Sequence, residues 1–151
     1  MLMPLTRHLV VGAAITGATM TLLPSQAHAA GSLRISKIWY DSPGSDTATN
    51  SSINGEWVQI TNSTTSAVNL KGWTLTDASN HAYTFAAFTL GAGKNVSIKT
   101  GKGTNTATTL FQQRAGHIWN NDKDTATLRR ANKTVHHTCA YNSTRYDYKT
   151  C

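Results

Sequence analysis

The chain has 151 residues, of which 39% are hydrophobic, and its 14 Lys and Arg residues against 7 Asp and Glu residues give a net charge of +7. This length fits a single domain built around one hydrophobic core. The four tryptophans and the hydrophobic fraction argue against an intrinsically disordered chain, and a charged fraction of only 14% argues against a coiled coil.

Residues 1–29 have the pattern of a signal peptide. Arg7 precedes a mostly apolar run, Leu9 to Leu23, which is shorter than the roughly 20 residues that a membrane-spanning helix needs. Ala27 and Ala29 then form a small-x-small signal-peptidase site. We predict cleavage after Ala29, or alternatively after Ala30, and a secreted, extracellular protein with no membrane span after cleavage. The alternative is an uncleaved membrane anchor.

The chain that follows consists of short stretches in which polar and apolar residues alternate, separated by Gly, Asn and Ser. The first stretch, Leu33 to Tyr40, changes phase at Ser36-Lys37, which predicts a bulge, and a polar loop covers residues 41–55. Further strands are predicted at 56–61, at 73–76 paired with 83–85, at 96–100, and at 124–129 paired with 134–139. This spacing predicts an all-β antiparallel sandwich of about eight or nine short strands.

Several segments, in this order and spacing, resemble the lamin tail domain family. They are Gly55-Glu-Trp57-Val58-Gln-Ile60-Thr-Asn62, Leu70-Lys-Gly72-Trp73-Thr-Leu75-Thr-Asp77, Phe88-Thr-Leu90-Gly-Ala-Gly93-Lys, Thr100-Gly101-Lys-Gly103-Thr, Trp119-Asn120-Asn121 and Asp124-Thr-Ala-Thr-Leu128-Arg. The resemblance covers most of the chain after residue 29 and is greatest to small exported bacterial members. It implies an immunoglobulin-like sandwich, here assigned to residues 30–141, with a short tail at 142–151. It also implies a binding platform rather than a catalyst.

Cys139 and Cys151 are the only cysteines. An even number of cysteines in an exported chain predicts a disulfide, which would attach the tail to the last strand rather than join the two sheets. The alternative is a pair of free thiols, with Cys139 buried on the same face as Val135.

The histidines lack metal-ligand spacing. His136 and His137 are neighbours on a predicted strand, so their side chains point to opposite faces and cannot chelate one ion. His81 and His117 fall in predicted loops with no ligands around them. We therefore predict no metal site and no cofactor.

The carboxylates are predicted to serve the backbone. Asp122 and Asp124 fit turn chemistry better than a calcium loop, because the EF-hand pattern is absent. Glu56 and Asp77 could be imagined as an acid–base pair, but each lies at a strand end, where a carboxylate accepts backbone N–H bonds. No catalytic motif is present, so we predict a protein that is not an enzyme.

The basic residues give the main indication of function. Arg129, Arg130 and Lys133 cluster at one predicted hairpin, and Lys99 and Lys102 lie near another turn. Such clusters attract polyanions, which suggests a binding module for an extracellular polyanion such as a cell-wall polymer or a nucleic acid.

Two other functions stay open. One is a structural or protein-interaction domain of the cell surface that uses a sheet edge or Trp57 for docking. Trp57 is out of phase with Val58 and Ile60, so it either faces outward or packs under the 41–55 loop. The other is a small secreted hydrolase or nuclease, which would need Asp122, Asp124 and a histidine together in a cleft.

Overall fold

A computed structural model describes residues 31–151, and the predicted signal peptide and its cleavage site lie outside the described residues. Within this range no helix has the length and hydrophobicity to cross a membrane. The strands are β1 Leu33–Trp39, β2 Trp57–Asn62, β3 Val68–Asn69, β4 Thr74–Thr76, β5 Ala82–Thr84, β6 Thr89–Leu90, β7 Asn95–Lys99, β8 Thr109–Phe111, β9 Lys123–Arg129, β10 Val135–Asn142 and β11 Tyr148–Thr150. One short helix, α1 Asn50–Ile53, interrupts the 41–55 loop.

The strands form the predicted immunoglobulin-like β-sandwich. A five-stranded sheet has the order β11-β1-β2-β7-β8, a four-stranded sheet has the order β10-β9-β4-β5, and β3 pairs with β6. The pairs are antiparallel except for β7 with β8. Within residues 31–151 there are eleven strands where the sequence predicted eight or nine. The sequence analysis did not place β3 and β6, which are two residues long, or β8 and β11, which are three residues long.

The core lies between the two large sheets and follows from the alternation of apolar residues. The side chains that point inward are fully or almost fully buried, whereas those between them are half-buried or exposed on the outer faces. The largest buried contributions come from Tyr40, Phe85, Ile35, Ile38, Ile53, Ile60, Leu70, Leu75, Leu90, Ile98 and Leu128.

Two bulges set the direction of the side chains. The predicted one in β1 is confirmed by a register shift between Ile35 and Lys37. A second shift, between Val135 and His137, was not predicted. It puts Val135 on the surface at 50% exposure while Cys139 is buried, so the prediction that these two residues share the core face was wrong.

The tail forms β11, which pairs with β1 at the edge of the five-stranded sheet. Cys151 follows β11 and is disulfide-bonded to Cys139 on β10, an edge strand of the four-stranded sheet, with the two Cα atoms 5.9 Å apart. The predicted disulfide is therefore present. The prediction that it would act only locally was wrong, because it joins the edges of the two sheets.

Candidate binding surface

Glu56 is buried directly before β2 and is held by donors from a distant loop. It is 0% exposed, accepts a backbone N–H bond from Ile118 at 3.0 Å and accepts the Nδ1–H of His117 at 2.9 Å. Burial raises the pKa of Glu56, although these hydrogen bonds oppose that change. Burial alone would lower the pKa of His117, but the charge of Glu56 and the hydrogen bonds to Glu56 and Thr47 raise it.

His117 also lies near Ser52, and the order Ser52, His117, Glu56 resembles a catalytic triad. The Oγ atom of Ser52 is 3.4 Å from Nε2 of His117. However, the carbonyl oxygen of Thr47 lies closer, at 3.2 Å, so Nε2 carries a hydrogen and donates it there. While His117 is protonated it donates from both nitrogens and cannot accept the proton of Ser52, and in this state its contacts hold the loop against Glu56.

Asp77 and Asp124 are used in the same structural way. Asp77 is 3% exposed and accepts the backbone N–H and the Nδ1–H of His81, each at 2.7 Å. Asp124 is 5% exposed and accepts backbone N–H bonds from Ala78 at 2.8 Å and Thr125 at 2.7 Å. The interpretation of these carboxylates as turn and strand-end groups therefore agrees with the structure.

Of the other histidines within residues 31–151, His136 is also held by the fold. His136 contacts the carbonyl oxygen of Leu33 at 2.8 Å and lies edge-on to Trp73. Burial, with the nearby charges of His136 and Arg34, lowers the pKa of His137. Among residues 31–151 no group of three or more His, Cys, Asp or Glu side chains is close enough to hold a metal ion.

The five candidate polyanion-binding residues form two clusters at opposite ends of the sandwich. The first cluster, at the β9–β10 hairpin, consists of Arg129, Arg130 and Lys133. This hairpin lies near the start of β1, because His136 at the beginning of β10 contacts Leu33. Lys99 and Lys102 lie at the other end. There the end of β1 pairs with the start of β2, and the start of β2 pairs with the end of β7, where Lys99 lies. Six residues of β1 separate the two ends, which corresponds to about 20 Å. One compact ligand cannot contact both clusters.

The outer face of the five-stranded sheet carries a row of aromatic rings that the sequence did not reveal. Tyr148, Trp39 and Trp57 are neighbours on β11, β1 and β2. The centroids of Trp39 and Tyr148 are 5.1 Å apart and those of Trp39 and Trp57 are 5.7 Å apart, with 25° between the planes of each pair. Trp57 thus faces outward, against Trp39, rather than packing under the 41–55 loop. We call these three residues the ring row.

Two lysines accompany the ring row. The Nζ atom of Lys37 lies 4.0 Å from the ring centroid of Tyr148 and 5.3 Å from that of Trp39. Lys99 pairs with Trp57 and continues the row onto β7. Alternation after the β1 bulge puts Lys37 and Trp39 on one face, which could have been read from the sequence. The sequence could not show that Tyr148 lies next to Trp39, because β11 has no periodic pattern.

A cleft of about 570 Å³ lies beside the end of the ring row. Its lining consists mostly of hydroxyl and amide side chains from the 41–55 loop, together with one lysine. The lining residues are Pro43, Ser45, Thr47, Thr49, Ser51, Ser52, Asn54, Gly55 and Lys99. Lys99 pairs with Trp57 at the end of the ring row and also lines the cleft, so the ring row and the cleft form one continuous surface.

A comparison with family models decides the wider relationship, since the Lamin Tail Domain model matches residues 26–143. The chain belongs to the lamin tail domain family. Lamin tail domains are immunoglobulin-like, generally serve structural or protein-interaction roles and are generally non-catalytic. A search of curated proteins gives no significant match.

The lamin tail match ends before β11. Residue 143 is the last one matched, whereas β11 spans Tyr148–Thr150 and the disulfide uses Cys151. The third ring of the ring row and one half of the disulfide are therefore supplied by a segment beyond the part of the chain that the lamin tail domain describes.

Proposed function

We propose that this protein is a secreted, non-catalytic binding module that attaches to an extracellular polyanion such as a cell-wall polymer. One observation carries the proposal. Within residues 31–151 the only ion pairs are those of His81 and His117, so none of the lysines and arginines there is paired with a carboxylate.

The distribution of the carboxylates strengthens this argument. Glu56, Asp77 and Asp124, three of the seven acidic residues, are buried and bonded to backbone N–H groups, as described above. These three carboxylates are therefore buried, whereas basic side chains such as Arg130 and Lys133 are exposed at the surface. The surface potential that a polyanion meets is therefore more positive than an even distribution of the same charges would produce.

Binding to immobilised heparin across a salt series tests the proposal. Attachment that neutralises several anionic groups releases counterions, so log K should fall linearly with log salt concentration. Retention at low salt that disappears with added salt supports the proposal. Absence of retention on heparin, DNA and purified cell wall at low salt would overturn it. The disulfide-containing, secreted form of the chain should be used, and its presence in the culture medium tests export directly.

A protein-interaction role is the second candidate, and the exposed apolar side chains favour it. Val135 is 50% exposed and Tyr146 is 56% exposed. A partner held by such groups would stay bound as salt is raised, because apolar contact is not screened by ions. Salt-insensitive capture of one surface protein, together with no retention on polyanions, would select this role.

A further inference from the structure

We infer that the ring row, with Lys37, Lys99 and the adjoining cleft, is a binding site for an acidic polysaccharide, meaning a chain of sugar rings that carries carboxylate or sulfate groups. This inference rests on the proposed function and makes it specific. It places the contact surface on the outer face of the five-stranded sheet rather than at the β9–β10 hairpin.

The rings supply the apolar part of the site. Trp39 and Trp57 are only half-buried and Tyr148 is 42% exposed, although they lie on the outer face of a sheet whose other face already forms the core. Large aromatic side chains collected on a solvent-facing sheet indicate a contact surface, since folding alone would bury them. The apolar C–H faces of sugar rings are suited to such a surface.

The lysines supply the charge. The Nζ atom of Lys37 is within 6.0 Å of all three ring centroids, at distances of 4.0, 5.3 and 5.9 Å. The rings hold the ammonium group in place but do not neutralise it, and no carboxylate within residues 31–151 lies within salt-bridge distance of it. Its hydrogen-bond donors therefore remain able to contact an anionic substituent, and Lys99 offers a second ammonium farther along the row.

The cleft supplies the polar part. Ser45 and Ser51 present hydroxyl groups next to Lys99. Hydroxyl groups form hydrogen bonds with the hydroxyl groups of sugars. A ligand that covers the whole surface must therefore have apolar ring faces, hydroxyl groups and negative charge in one chain, which together describe an acidic polysaccharide.

Four probes separate the contributions to binding. Polygalacturonate has sugar rings and charge, its methyl-esterified form has the rings without the charge, polyphosphate has the charge without the rings, and poly(dT) represents nucleic acid. We expect polygalacturonate to bind most tightly, and esterification to weaken its binding at least about tenfold.

The variants Lys37→Gln, Lys99→Gln and Tyr148→Ala test the surface. Each should weaken polygalacturonate binding about three- to tenfold, as expected for an exposed ion pair or a ring contact worth roughly 1 kcal/mol. Lys71→Gln is the matched control, because it removes the same charge from an exposed turn away from the ring row, and it should change binding less than about twofold. Circular dichroism melting confirms that each variant is folded.

The outcomes distinguish this inference from the proposed function. If polygalacturonate and polyphosphate bind with equal affinity and the three variants behave like Lys71→Gln, the protein is a polyanion binder but this surface is not the site. If poly(dT) binds more tightly than polygalacturonate and Tyr148→Ala weakens it, the ligand is a nucleic acid and the inference is wrong. If none of the four probes binds at low salt, both fail.

Discussion

Replacing His117 with alanine should destabilise the fold, and the cost should depend on pH. In the wild type, Glu56 is 0% exposed, and the Nδ1–H of His117 lies 2.9 Å from Oε1 of its carboxylate. The substitution His117→Ala removes this partner and leaves the carboxylate with backbone N–H bonds from Ile118 at 3.0 Å and Trp119 at 3.5 Å. A buried charge that loses its partner typically costs 3–5 kcal/mol.

Protonation limits that cost, because an unpaired Glu56 can become neutral instead of remaining charged in the core. Neutralising a glutamic acid with an unfolded-state pKa of about 4.3 costs roughly 1.4 kcal/mol for each pH unit above that value. The neutralisation of Glu56 therefore costs about 4 kcal/mol at pH 7 and about 1 kcal/mol at pH 5, so the variant should be destabilised by about 3–4 kcal/mol at pH 7 and by clearly less at pH 5.

The wild type itself should become more stable from pH 7 to pH 5, which offsets part of the difference expected for the variant. Because the fold raises the pKa of His117 above its unfolded value, the folded state binds this proton more tightly than the unfolded state does. The resulting stabilisation is complete below the unfolded pKa of about 6.5 and is lost as the pH rises through the folded pKa. The raised pKa of Glu56 acts in the same direction at lower pH.

Urea unfolding followed by tryptophan fluorescence at pH 5 and pH 7 measures these free energies. The double variant His117→Ala/Glu56→Gln keeps the shape and removes the charge, so it should recover much of the loss at pH 7. Lys71→Gln is the control, because Lys71 lies in an exposed turn and its loss should cost less than about 0.5 kcal/mol. Equal destabilisation by His117→Ala at both pH values, or no recovery in the double variant, would refute the reasoning.

Three further predictions follow from the sequence and the fold. N-terminal sequencing of the protein from the culture medium should begin at Ala30, whereas an intact residue 1 would show that the predicted signal peptide is retained. Cys151→Ser opens a disulfide that closes a separation of 12 residues, so it should cost about 3 kcal/mol in urea unfolding; a change below about 0.5 kcal/mol would contradict a stabilising role. Leu128→Ala removes a side chain that is 0% exposed and should cost about 2–5 kcal/mol, measured in the same way, while a surface control such as Lys71→Gln should be nearly neutral.

The sequence predicted those parts of the fold in which alternation is long enough to be recognised. β1 with its bulge, β2, β7 and the two hairpins were placed nearly as the structure has them. β3, β6, β8 and β11 are two or three residues long, and such strands are defined by their partners rather than by their own pattern. The bulge after Val135 was missed for a related reason. Simple alternation places Val135 and Cys139 on the same face, and only an extra residue between them changes this.

The candidate site was harder to predict because its residues come from distant parts of the chain. The basic clusters were predicted as local groups, but their separation by the length of the sandwich depends on strand register. Glu56 and His117 are 61 residues apart in sequence, and Trp39 and Tyr148 belong to strands that meet only at the sheet edge. Pairings of this kind follow from topology, which composition and spacing do not specify.

The position of β11 connects the disulfide with the proposed site. β11 pairs with β1 over only three residues, and all three of its side chains are exposed, so little apolar burial holds it in place. The bond between Cys151 and Cys139 supplies the missing restraint by fastening the end of this strand to the opposite sheet. The same strand carries Tyr148, against which Lys37 rests at 4.0 Å. A segment that follows the lamin tail match therefore completes the ring row, and the disulfide is what allows so short a strand to present its ring in a fixed position.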